Sequence, residues 1–189
     1  WSLDATDEGI VFGGYEDYCE YCSDLTGFTA RLGPDGAVDA AYAAVRLQVT
    51  DVREVVVQPD GKPVAIGTRY VAPTPLVLFR LNVDGSLDTS FGTGGVVEVA
   101  GLPGTNLRGT SLVLDPDGRI VAAGLQGNRL LVMRFLADGT VDTSFGSNGS
   151  FVRNDALRDA DTPPKLVRVG ASGYRVMVND LQERFPEPY

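Results

Sequence analysis

Apolar residues in this chain gather in short runs broken by Gly, Pro, Asp and Asn, and no stretch keeps the recurrence of an amphipathic helix. The pattern predicts strands joined by tight turns. In the middle of the chain the expected strands are 54–58, 63–68, 76–82 and 96–99, and the same series returns as 111–115, 119–124, 129–136 and 150–153. Between the first two strands of each series stands Pro59-Asp60-Gly61 or Pro116-Asp117-Gly118. Asp-Gly between apolar runs is a hairpin signal, because both residues tolerate positive φ. The third run is continuously apolar, Leu76-Val-Leu-Phe79 and Leu130-Leu-Val-Met133, as expected of a strand buried on both faces.

The turn after the third run repeats almost letter for letter. Arg80-Leu-Asn-Val-Asp84-Gly85-Ser-Leu-Asp88-Thr-Ser-Phe91-Gly92 becomes Arg134-Phe-Leu-Ala-Asp138-Gly139-Thr-Val-Asp142-Thr-Ser-Phe145-Gly146, and, in weaker form, Arg31-Leu-Gly-Pro-Asp35-Gly36-Ala-Val-Asp39-Ala-Ala-Tyr42. A period of about 50 residues marks a solenoid, a propeller or an array. Four strands meandering through tight turns make one propeller blade. The segment from Leu3 to Gly14 reads as the start of a blade, and Leu166 to Asp180 matches the same two opening strands again. The expected fold is therefore all-β, a β-propeller-type array of four-stranded antiparallel blades with about three and a half repeats. A single repeat domain would span 1–189, with repeats at about 1–53, 54–110 and 111–164 and a partial fourth at about 165–189. Closed propellers use about four to eight blades, so a swapped strand, a second subunit or further repeats would complete this one, the alternative being an open stack, which exposes the sheet edges that natural proteins avoid. The chain opens at Trp1 rather than Met, which reads as a processed product, an excised domain or part of a longer protein.

Charge and composition prune the functional classes. The net charge is −9, and Lys62 and Lys165 are the only lysines, so the basic stripe that nucleic-acid binding needs is missing. No apolar run approaches the ~18 residues of a membrane span. Histidine is absent, which removes Ser-His-Asp and Cys-His nucleophile systems, His-ligated zinc and an imidazole base within this chain. An enzyme here would run on carboxylates, Tyr or Lys.

The repeated charges support two readings. Arg31, Arg80 and Arg134 can each close a strand by a bidentate pair with a returning carboxylate. The acids at Asp35 and Asp39, Asp84 and Asp88, Asp138 and Asp142 then act as turn residues, with Asp88 and Asp142 capping the turn that seats Phe91 or Phe145. Alternatively Asp84, Asp88, Asp138 and Asp142 supply hard oxygen ligands to calcium, the one cofactor to weigh; otherwise none is expected. The spacing lacks the dense D-x-D-x-D of calcium loops, and each pair has an Arg beside it.

The loop between the second and third strands varies most: Tyr15 to Thr26, Arg69 to Pro75 and Leu125 to Asn128. In repeat folds such insertions map to one face, often the binding face. The first of these loops carries Cys19-Glu-Tyr-Cys22 among acids that disfavour a thiolate, which favours a disulfide staple over a redox dithiol or a shared metal site. It also places Tyr15, Tyr18 and Tyr21 beside Asp24, with Trp1 as a further aromatic. Rings that stack on apolar faces next to hydroxyl-accepting acids suit a sugar or a protein surface, the alternative being that they pack the loop onto its own blade. Asn148-Gly149-Ser150 fits a glycosylation acceptor but stands where a hairpin turn is expected.

Gln58-Pro-Asp60-Gly61-Lys62, Ala65-Ile-Gly67 and Phe79-Arg80 through Leu87-Asp88-Thr-Ser-Phe91-Gly92 to Val96 closely resemble the delta-60 repeat, found in tandem in large bacterial surface and secreted proteins. The resemblance covers about residues 7 to 153, and the first repeat departs from it at Ala40-Ala41-Tyr42-Ala43. It implies a propeller-like fold without catalytic residues. The expected function is a non-enzymatic extracellular or cell-surface module, structural or adhesive, whose partners are a surface protein or glycan and other copies or missing repeats. A subunit of a strand-sharing polymer and a carboxylate-dependent carbohydrate-active enzyme are the alternatives.

Overall fold

The described residues form fourteen strands. The computed structural model describes residues 2–16, 26–42, 46–47, 51–69, 71–101, 104–157, 162–170 and 173–178. The first sheet runs β1 (Ser2–Thr6), β2 (Gly9–Glu16), β3 (Thr26–Leu32) and β4 (Arg46–Leu47). The second is β5 (Asp51–Val57), β6 (Pro63–Thr68), β7 (Leu76–Arg80) and β8 (Val96–Val99). The third is β9 (Leu107–Leu114), β10 (Ile120–Gln126), β11 (Arg129–Phe135) and β12 (Ser150–Val152), and the hairpin β13 (Lys165–Val169) and β14 (Gly173–Met177) follows. Each four-stranded sheet is an antiparallel meander in chain order, and there is no helix among the described residues.

The first strands of the second and third sheets start earlier than the sequence reading placed them. β5 and β9 begin before residues 54 and 111, because a β-bulge inserts Arg53 opposite β6 and Thr110 opposite β10. The bulge interrupts the period-2 pattern, so the earlier residues do not read as the same strand. The Asp-Gly hairpins also close differently. Only the glycines, Gly61 at φ 82° and Gly118 at φ 84°, are left-handed, so these are type I turns with a bulged glycine. Turns with both central residues left-handed are Gly94-Gly95, at φ 63° and 95°, before β8 and Asn148-Gly149, at φ 51° and 90°, before β12. The third loop shrinks to Gly127-Asn128, because β10 continues to Gln126.

Apolar side chains fill the seams between sheets. Val11 and Tyr42 meet Val55, Val77, Phe79 and Leu81 across the first seam. Across the second, Val64, Ile66, Leu78 and Phe91 meet Leu112, Ile120, Met133 and Phe135. Val121, Val132 and Phe145 pack against Leu166, Tyr174 and Val176 of the last hairpin. Both faces of β6, β7 and β10 are therefore buried, which explains their continuous apolar runs. Each fully buried Phe contributes up to about 3 kcal/mol by leaving water.

β1, β5, β9 and β13 contact one another in succession, so the first strand of every sheet is the inner one. An inner strand is paired on one side only, and its free N–H groups, shut into a seam, need acceptors. The preceding sheet supplies them. Ser2 Oγ accepts from Val55 N–H at 3.2 Å, Glu54 Oε2 from Leu112 N–H at 2.5 Å and Ser111 Oγ from Leu166 N–H at 2.9 Å. These three acceptors share one register, opposite Gly13, Ile66 and Ala123.

Candidate functional site

The repeated turn is built identically three times from local backbone bonds. Asp39, Asp88 and Asp142 N–H donate to the carbonyls of Arg31, Arg80 and Arg134, each at 2.9 Å, which returns the chain to the end of the third strand. Asp35, Asp84 and Asp138 accept from the backbone N–H two residues on, at 3.0, 2.9 and 2.9 Å. They fold the Asp-Gly corner on itself.

The second acid of each repeat meets the arginine through one oxygen. Arg31 brings Nε and Nη2 to Asp39 Oδ2 at 2.8 and 2.6 Å. Arg80 and Arg134 each place Nε at 2.8 Å from Oδ2 of Asp88 or Asp142. The expected fork onto both oxygens does not form, because Oδ1 is taken by the next turn. Asp88 Oδ1 accepts from Ser90 N–H at 3.1 Å and Ser90 Oγ at 2.6 Å, and Asp142 Oδ1 accepts from Ser144 at the same two distances. Nη2 of Arg80 and of Arg134 turns to that serine hydroxyl instead.

Electrostatics follow from these partners. Burial alone would raise the Asp88 carboxyl, but Lys62, Ser90 and Arg80 hold it well below the ordinary range. For Asp39 the Arg31 bond leads in lowering it, and for Asp142 the Ser144 hydroxyl does. Asp84 is lowered by Ser86 and Asp138 by Thr140. Each arginine also lies over an aromatic ring: Arg31 5.2 Å from the Tyr42 centroid, Arg80 and Arg134 4.9 Å from Phe91 and Phe145. Beside Arg134, burial and then Asp115 push the Tyr174 phenol up to about 12, so it stays protonated and donates to Asp115.

The four acids weighed as calcium ligands thus already accept hydrogen bonds from protein donors, and Asp88 Oδ2 faces both Arg80 and Lys62. Among the described residues no three His, Cys, Asp or Glu side chains converge. The chemistry this arrangement performs is cohesion. Arg31 Nη1 donates to Val83 O at 3.1 Å and Arg80 Nη1 to Ala137 O at 2.7 Å, so each arginine fastens its own blade to the Asp-Gly turn of the next.

Tyr15 lies on β2 opposite Gly27, rather than in the loop, and is half exposed. Tyr18, Tyr21, Asp24, Cys19, Cys22 and Trp1 lie outside the described residues. Tyr15 borders a depression at the inner strands together with Asp51, Arg53, Thr110, Pro164 and Lys165. Sequence reasoning passed over these inner-strand polar residues. The available signals were a Glu within an apolar run at Glu54, and one of only two lysines at Lys165, which the fold pairs with each other.

A family model described as a β-propeller domain of unknown function (DUF5122) matches residues 58–91 and 116–145. The matched segments run from the first hairpin to the aromatic ring in the second and third repeats. They support a propeller-type repeat. No curated protein matches the chain.

Proposed function

We propose that this chain is a non-enzymatic, extracellular or cell-surface module of the delta-60 type, structural or adhesive, that recognises a protein or glycan where its repeats differ. The observation that carries this reading is how the repeated charges are spent. Arg31, Arg80 and Arg134 and their acids bond to their own turn or to the neighbouring blade, which leaves the variable loops for contact. Tyr15 stands half exposed at the foot of the longest loop and beside the charged depression at Asp51, Arg53 and Lys165. An aromatic ring flanked by both charge signs suits a hydroxyl-rich ligand or a polar peptide.

A glycan and surface-protein array with the intact chain tests this directly. Binding that falls at least about tenfold, about 1.4 kcal/mol, in Tyr15→Ala, Tyr18→Ala and Tyr21→Ala is the expected outcome. Binding untouched by all three would move recognition away from this loop, and turnover of a glycoside substrate would displace the non-enzymatic reading.

A further inference from the structure

We propose that the third Arg-aromatic seat, Arg134 over Phe145, together with the outer edge of β14, is a docking site for a strand-turn segment of this same repeat. The occupant is an apolar third strand ending in Arg-x-x-x-Asp-Gly-x-x-Asp. This rests on the blade-array reading and names the chemistry of the partner that array takes.

Two seats in the chain are filled, and they define what fits. At the first, Arg31 covers Tyr42 and bonds to Val83 O of the next Asp-Gly turn. At the second, Arg80 covers Phe91 and bonds to Ala137 O, while Gly92 N–H donates to Asp138 O at 3.0 Å. Gly139 lies directly on the ring, where a Cβ would come within 2.8 Å of Phe91. Both seats thus take a main-chain carbonyl, and the second takes two together with a residue without a side chain. An X-Asp-Gly turn presents all three.

The third seat has the same parts. Arg134 lies over Phe145 at the same 4.9 Å as Arg80 over Phe91, held by Asp142 and Ser144. Tyr174 occupies the register of Ile120, packs like Phe145 against the Val121, Val132 and Leu166 cluster and interacts with Arg134, which is the half of the cover that strands β13 and β14 provide. The turn half is unfilled among the described residues. Tyr42 and Phe91 are 4% and 0% exposed under their turns, whereas Phe145 is only half-buried.

The strand edge points to the same occupant. β2, β6 and β10 are each flanked by strands on both sides, while β14 pairs only with β13 among the described residues. In the second and third sheets the strand beside that edge, β7 or β11, is the one that leads into the seated turn. One segment therefore satisfies the edge by strand addition and the seat by its turn. No Asp-Gly pair stands between Met177 and Tyr189, and the turns after β7 and β11 are already seated on Arg31 and Arg80.

The test uses the full chain and a labelled synthetic peptide with the sequence of residues 76–92, followed by fluorescence anisotropy and hydrogen exchange. Saturable binding that slows exchange at residues 173–177 is expected. A Gly85→Val peptide should bind at least about tenfold more weakly, because its side chain meets the Phe145 ring. An Arg134→Gln protein should lose affinity for the parent peptide while retaining its thermal midpoint to within a few degrees. No binding, or equal binding of the parent, Gly85→Val and scrambled peptides, would overturn the proposal. Slow exchange at 63–68 and 120–126 without peptide binding defeats this site alone, whereas fast exchange there defeats the blade array with it.

Discussion

Asp88 holds Arg80 and Lys62 on one oxygen and the Ser90 turn on the other, so a single side chain joins the third strand, the first hairpin and the aromatic seat. Asp88→Ala leaves two cations and a turn N–H without their acceptor, and should cost about 2 kcal/mol in chemical denaturation. The acid dependence has a definite sign. Asp39, Asp88 and Asp142 titrate below the ordinary 3.8 when folded, so the unfolded chain binds protons first as pH falls. Their contribution is complete above the ordinary carboxylate range and is lost as pH drops through the lowered folded values. A thermal midpoint that is level above about pH 5 and falls steadily below about pH 4 is expected, with a shallower fall in Asp88→Ala. An unchanged slope in that variant would show that Asp88 is not among the groups responsible.

Turns and strands show where the sequence was legible. The apolar runs at 63–68 and 76–80 and the repeated Asp-Gly corners marked β6, β7 and the seated turns, because burial and left-handed glycine leave direct traces in residue type. The bulges at Arg53 and Thr110 left none, since an extra residue in a strand is defined by its partner. The same limit hid the seats. Arg80 and Phe91 were visible as a motif, but that they receive Ala137 and Gly139 depends on a blade more than forty residues on, a pairing no local pattern encodes. A pair of substitutions measures this non-local part. Gly36 and Gly139 both hold positive φ, 78° and 88°, yet a Cβ at Gly36 meets nothing within 4 Å while one at Gly139 strikes Phe91 and Val97. Gly36→Ala should cost about 1 kcal/mol from backbone strain alone. Gly139→Ala should cost distinctly more in the same denaturation experiment, and equal losses would mean that the ring yields freely.

Across the whole molecule, Glu54 reaches furthest. It lies on β5, accepts from Leu112 N–H on β9 and pairs with Lys165 on β13, touching three successive inner strands. Replacing it with Ala strands a buried amide and frees Lys165, at a cost of about 2 kcal/mol. The loss should appear as faster hydrogen exchange at 165–177 before the second sheet responds. Uniform acceleration throughout would instead indicate that the hairpin and the sheets open as one unit. No helix among the described residues is long and apolar enough to cross a membrane.

The bonds from Ser2, Glu54 and Ser111, and from Arg31 and Arg80, all start at a side chain of one blade and end on the main chain of the next. The receiving blade is recognised by its backbone and, at the aromatic seat of the second sheet, by a glycine that leaves room for the ring. A duplicated or exchanged repeat therefore meets its new neighbour without matched substitutions. Selection then bears on the giving side of each junction and on the glycine of the seated turn, while the other receiving positions are free to drift, and a gene built this way can lengthen by unequal crossing-over and still encode a joined stack.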